Sequence, residues 1–118
     1  MEKKDFLKIE LEKVDEYNCY KVIVNNNCLA KLVETCEACP EQYDLVSLLD
    51  NKQIAYFRLR FGAFRVDVPS CGGETIYYKA FDDCFKGAFK EEEREEELIK
   101  AIKVVIKNLR MENDYEEE

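Results

Sequence analysis

The stretch "YFRLRFGAFRVDV", residues 56 to 68, constrains the fold most. Apolar and polar residues alternate on both sides of Phe61 and Gly62, and a period of two is the signature of a strand with one buried face. With Phe61-Gly62 as a two-residue loop, Leu59 faces Phe64, Phe57 faces Val66 and Ala55 faces Val68. All six are apolar and share one face, which fixes the register, because a slip of one residue would turn them all outward. The loop itself breaks a preference. A tight hairpin turn needs positive φ at its first position, where Asn or Gly is usual and Phe stands here.

The other face of this hairpin receives Tyr56, Arg58, Arg60, Arg65 and Asp67. Arg58 lies opposite Arg65, and like charges directly opposed destabilise a sheet. If a third strand buries Ile76, Tyr78 and Ala80, then Thr75, Tyr77 and Lys79 join the arginine face. Such a face could stack bases, bind phosphates or receive a carboxylate-rich partner. Equally, the chain's own acids, Asp67 among them, could neutralise it.

The remaining pattern predicts an α+β fold. It gives a three- to four-stranded antiparallel sheet with strands at about 19–24, 53–60, 63–68 and 74–80, packed on helices at about 27–39, 41–50 and 90–110. Asn25, Asn26 and Asn27 read as a turn and helix N-cap. Cys28, Leu29, Leu32, Val33, Cys36 and Cys39 follow at the spacing of one helix face, which Pro40 ends. Residues 6 to 14 fit a strand or a helix equally. In the last helix Leu98, Ile102, Val105 and Leu109 form the seam, with glutamates in the first turns and Lys103, Lys107 and Arg110 in the last, as the helix dipole favours. Residues 1–111 make one domain, and 112–118 an acidic disordered tail.

Composition limits function more than it names it. The 118-residue chain has a formal net charge of -8, unevenly spread: net -5 over residues 1–51, +3 over 52–90 and -6 over 91–118. An acidic protein with a basic middle lowers the expectation of direct nucleic-acid binding, the second reading, and raises that of a protein partner. Exposed Glu92, Glu93 and Glu96 could imitate nucleic-acid phosphates against a basic groove, or be a solvated helix start. There is no histidine, so the commonest general base and metal ligand is missing, and no enzyme mechanism or cofactor is expected. No apolar run suits a signal peptide or membrane span, which points to the cytosol of the producing or host cell and to no membrane partner.

Six cysteines in such a chain are expected reduced. Cys36 and Cys39 form one CxxC pair, and a zinc-stabilised module would need a second, for which Cys71 and Cys84 are the candidates. Small buried apolar side chains are the simpler reading. Asp82, Asp83 and Glu74 suit solvated loop acids better than a metal or acid–base site, and Cys71-Gly-Gly-Glu74 a tight connection better than a phosphate loop.

Residues 54 to 87, "IAYFRLRFGAFRVDVPSCGGETIYYKAFDDCFKG", resemble a pattern in small uncharacterised proteins of bacteriophages and prophages: an arginine-bearing strand, a glycine turn, a strand ending in proline, then GGE and an aromatic strand. The resemblance implies a phage or mobile-element origin and carries over no site residues. Small acidic phage proteins are often inhibitors of host defence, anti-CRISPR proteins among them. By that analogy the expected function is a non-enzymatic inhibitor of a host nuclease or CRISPR/defence complex. Its partner would be a host protein or nucleoprotein complex, such as a CRISPR effector. Self-association as a homodimer stays open.

Overall fold

The computed structural model describes residues 7–14, 19–36 and 40–117, with side chains through residue 109. Its seven strands are β1 (Ile9–Val14), β2 (Cys19–Val24), β3 (Asn27–Cys36), β4 (Glu41–Ser47), β5 (Gln53–Arg60), β6 (Ala63–Val68) and β7 (Glu74–Ala80), followed by one helix, α1 (Glu91–Glu117). The strands form a single antiparallel meander in chain order. The sheet curls so that α1, lying across its inner face, touches both edge strands, β1 and β7. No described helix is long and apolar enough to cross a membrane.

The expected fold of three or four strands packed on three helices is therefore corrected. The segments read as helices 27–39 and 41–50 are β3 and β4, residues 37–39 lying outside the described ones. The ambiguous segment 6–14 contributes β1. The asparagines do not cap a helix. Asn25 and Asn26 take φ of 50° and 74°, both positive, as a tight hairpin turn between β2 and β3 requires.

Bulges explain the misreading. Ala30 pairs with Val22 and Cys28 with Ile23, so Leu29 is an extra residue on β3; Thr35, lying between the partners of Tyr43 and Gln42, is another. Each extra residue slips the two-residue alternation by one. The apolar positions Leu29, Leu32, Val33 and Cys36 then imitate the three- and four-residue spacing of a helix. In β4 the inward positions are Glu41, Tyr43 and Leu45, and a buried glutamate at the first hides the pattern.

One core fills the concavity. Tyr20, Val22, Leu32, Tyr43, Leu45, Phe57, Leu59, Phe64 and Val66 from the sheet meet Leu98, Ala101, Ile102 and Val105 from α1, all buried. The expected seam of the last helix is thus present, with Ala101 added and Leu109 at its partly buried end. The helix extends past residue 110 to Glu117, and its last turn holds no basic residue. Its lysines therefore lie mid-helix, and only the acidic first turn, Glu91 to Glu93, matches the dipole as expected.

The start of α1 is fixed by a buried ionic cluster. Glu41 Oε2 accepts from Arg94 Nε at 2.8 Å, Glu41 Oε1 accepts from the Phe89 N–H at 2.9 Å, and the Tyr43 hydroxyl also donates to Glu41. Arg94 donates further to the Phe89 carbonyl at 3.1 Å and to Glu91 at 2.7 Å. The hydrogen bonds and charge of Glu41 hold Arg94 protonated more firmly than usual. Burial, reinforced by the hydrogen bond to Glu41, pushes the Tyr43 hydroxyl far up. Neither ion is stranded, which is the condition for burying a charge pair.

Candidate binding site on the outer face of the sheet

The β5–β6 hairpin takes the expected register: Leu59 pairs with Phe64, Phe57 with Val66 and Arg58 with Arg65. Phe61 adopts φ of 52° despite its ring, and Gly62 follows at 74°. The turn is held from outside. The Gly62 N–H donates to the Lys86 carbonyl at 2.8 Å, and the Phe81 N–H donates to the Gly62 carbonyl at 2.7 Å. A Cβ on Gly62 would lie 2.5 Å from the Asp83 carbonyl oxygen, so only glycine fits beneath the loop joining β7 to α1.

Away from the helix, two cross-strand rungs lie side by side. One runs Gln42, Arg58, Arg65, Tyr78; the next runs Asp44, Tyr56, Asp67, Thr75. Arg60, opposite Ala63, continues the basic line to the hairpin end. Tyr77 and Lys79 are not on this face. A bulge at Ile76, between the partners of Val66 and Asp67, returns Thr75 to the outer face but pairs Tyr77 with Val66 and Lys79 with Phe64 on the inner one. Lys79 Nζ instead meets Glu97 of α1 at 2.7 Å. Tyr78, which sequence reasoning placed in the core, is 64% exposed beside Arg65.

Asp67 neutralises only part of the arginine pair. It is buried, accepts from Thr75 Oγ1 at 2.7 Å and from the Gly72 N–H at 3.2 Å, and lies 3.3 Å from Arg65 Nε. Tyr56 is nearly buried and donates its hydroxyl to Gln42 Oε1. Burial raises the Tyr56 pKa, as does the adjacent Cys71 thiol, while the neighbouring Arg58 works the other way. Among the described residues, neither Arg58 nor Arg60 joins an ion pair. The Arg60 guanidinium lies 4.8 Å from the centroid of the Phe61 ring. Phe61 is 69% exposed and Phe85 84%, and the two flank a groove floored by Pro40, Arg60 and Gly87. Half-exposed guanidinium forks beside exposed rings suit planar anions, carboxylate or phosphate, and flat apolar groups.

The acidic candidates divide. Glu92 and Glu96 are exposed, Glu96 lying 3.6 Å from Lys100. Glu93 is occupied: it meets Lys86 Nζ at 2.6 Å and accepts from the Lys90 N–H at 2.8 Å, closing the helix start as half of a capping box. Burial would raise its pKa, but these donors outweigh burial and hold it low. The cysteines do not converge. Cys84 lies against Gly62 at one end of β6 and Cys71 in the turn at the other, roughly 20 Å apart by the length of a six-residue strand. Cys39 lies outside the described residues, and among those described no group of three His, Cys, Asp or Glu side chains could hold a metal. Asp83 Oδ1 accepts from the Phe85 N–H at 2.9 Å and shapes the loop.

Comparison with known proteins gives no match: no family model, curated protein or solved structure is significantly similar to this chain.

Proposed function

We propose that this is a non-enzymatic binding protein that works by covering a partner's surface with the outer face of its sheet. The observation that carries the reading is the Arg58–Arg65 pair. Two like charges stand directly opposed, and one acid, Asp67, reaches only Arg65. Arg58, partly buried against the Tyr56 hydroxyl, meets no acid among the described residues, and Arg60 is exposed beside Phe61. An opposed pair costs stability, and an anionic group from a partner offsets that cost. Arginine and aromatic residues are also the types that dominate binding energy at protein interfaces. The partner fitting best is a protein surface carrying carboxylates around an apolar patch. The resemblance over residues 54 to 87 implies only a phage or mobile-element origin; by analogy with small acidic phage proteins, the partner's class is a host nuclease or CRISPR/defence complex in the cytosol, inhibited by occlusion. Exposed Glu92 and Glu96 add an acidic contact on the helix side.

The experiment is affinity capture from nuclease-treated host lysate with the wild-type chain and with Arg58→Glu/Arg65→Glu. A stoichiometric protein partner retained by the wild type and lost by the variant supports the reading. A partner held equally by both overturns this face as the site. The alternation of Arg58, Arg60 and Arg65 with exposed Phe61, Tyr78 and Phe85 favours one second reading, single-stranded nucleic-acid binding by stacking. Titration of a labelled oligonucleotide decides it: that reading expects saturable binding that weakens steeply with salt.

A further inference from the structure

We propose that the apolar cleft between α1 and the inner face of β2–β5 is a binding site for one alkyl-chain ligand, its polar end left at the mouth. The cleft has a volume of about 310 Å³, and every described lining residue except Ser47 is aliphatic. It sits beyond the packed centre of the core, where Val24, Leu45 and Ile54 of the sheet face Ile106 and Leu109 of the helix.

Protein interiors are close-packed, with few voids larger than a water molecule. This space corresponds to about ten waters at their liquid volume, and a buried water needs two to four polar partners. Away from its open mouth, the described lining supplies few of them. The Ser47 hydroxyl is the single polar side chain among the described lining residues, and it already accepts from the Leu49 N–H at 3.2 Å. Apolar atoms are the occupant the walls favour, and the volume falls at the small end of the usual range for ligand sites.

The bulges build this cleft. Leu29 and Ile54 are both extra residues in their strands, and both line it. A bulge re-aims a side chain and bends the strand, here opening the end of the sheet away from the buried ion pair. Leu29, 42% exposed, and Leu49, 90% exposed, belong to the lining on its open side. The all-aliphatic walls among the described lining residues favour a flexible alkyl chain over a flat ring system. The site is separate from the arginine face, which lies on the other side of the sheet.

The test is titration of the full chain with decanol, followed by calorimetry and by methyl NMR. The proposal expects saturable one-to-one binding, with shifts at Leu45, Ile54 and Ile106 methyls and not at Val33 or Val46 on the outer face. Ile54→Trp and Ile106→Trp, each filling the cleft, should weaken binding about tenfold or more, since shutting out two methylenes suffices for that. The wild-type shift map decides the question even if a tryptophan variant misfolds. A flat titration overturns the proposal, as does benzene binding as tightly as decanol. Ile106 methyl shifts that follow protein dilution and not added decanol assign the cleft to a second copy of the chain, and overturn it as well.

Discussion

Arg94 and Arg58 are the same residue in opposite settings. Arg94 is buried against Glu41, with Phe89, Tyr43 and Glu91 completing the hydrogen bonds around the pair. Arg58 stands half-exposed on the far side of the sheet, opposite another arginine and joined to no acid among the described residues. The first arrangement ties the loop before α1 to β4 and so sets where the helix starts. The second ties down no carboxylate among the described residues and meets only the Tyr56 hydroxyl. The contrast separates charge spent on structure from charge that the proposed function assigns to a partner.

The sharpest way to break the comparison is at Arg94. Arg94→Met leaves Glu41 buried without its cation, which should cost about 3–5 kcal/mol. That is a large share of the stability of a domain this size. Denaturant unfolding measures it. Glu41→Gln in the Arg94→Met background should recover part of the loss, because the amide oxygen still accepts from the Phe89 N–H. No recovery would mean that packing of the arginine stem, not the stranded charge, accounts for the loss.

Next in size is Gly62→Ala. The added methyl meets the Asp83 carbonyl at 2.5 Å and the Cys84 Cα at 2.8 Å, on a backbone with φ of 74°. The expected cost is about 2 kcal/mol or more. Because the hairpin end and the Phe85 loop are joined there, this variant should also weaken partner capture, unlike Arg94→Met assayed while still folded.

Alkaline pH tests the burial of the core tyrosines. Burial raises the Tyr20 pKa from 10.0 to about 12, with Arg94 partly opposing, and raises Tyr43 further. A raised folded pKa means that this contribution is complete below pH 10 and is lost as pH climbs toward 12. Stability should therefore fall through that window, with tyrosinate absorbance appearing together with unfolding. Tyrosinate absorbance rising to completion near pH 10 in the folded chain would contradict the burial of both rings.

The hairpin was legible in the sequence because β5 and β6 pair without a bulge, so residue parity carries straight across. Bulges interrupt β2–β3, β3–β4, β4–β5 and β6–β7. Wherever one falls, the sequence loses its alternation, and no local propensity says which residue is the extra one. That is why β3 imitated a helix and why Tyr77 and Lys79 were assigned to the wrong face. The Asn25-Asn26 turn did carry a usable signal, two residues that tolerate positive φ between apolar runs. The Glu41–Arg94 cluster carried a weaker one: Arg94 falls in the same helical stripe as Leu98, Ala101, Ile102 and Val105, a position where only a paired charge can sit.

The smallest expected effect on stability separates the two arginines most cleanly. Arg58→Gln removes the like-charge opposition to Arg65 and places an amide between Gln42 and Arg65 on the rung. Relieving that repulsion should leave stability unchanged or raise it by about 0.2–1 kcal/mol. Partner capture should fall in the same variant. A gain in stability together with a loss of binding is the signature of a residue kept for a partner, and Arg94 cannot produce it, since any neutral substitution there strands Glu41. If Arg58→Gln instead destabilises the chain as Arg94→Met does, the outer face is structural and the binding reading fails with it.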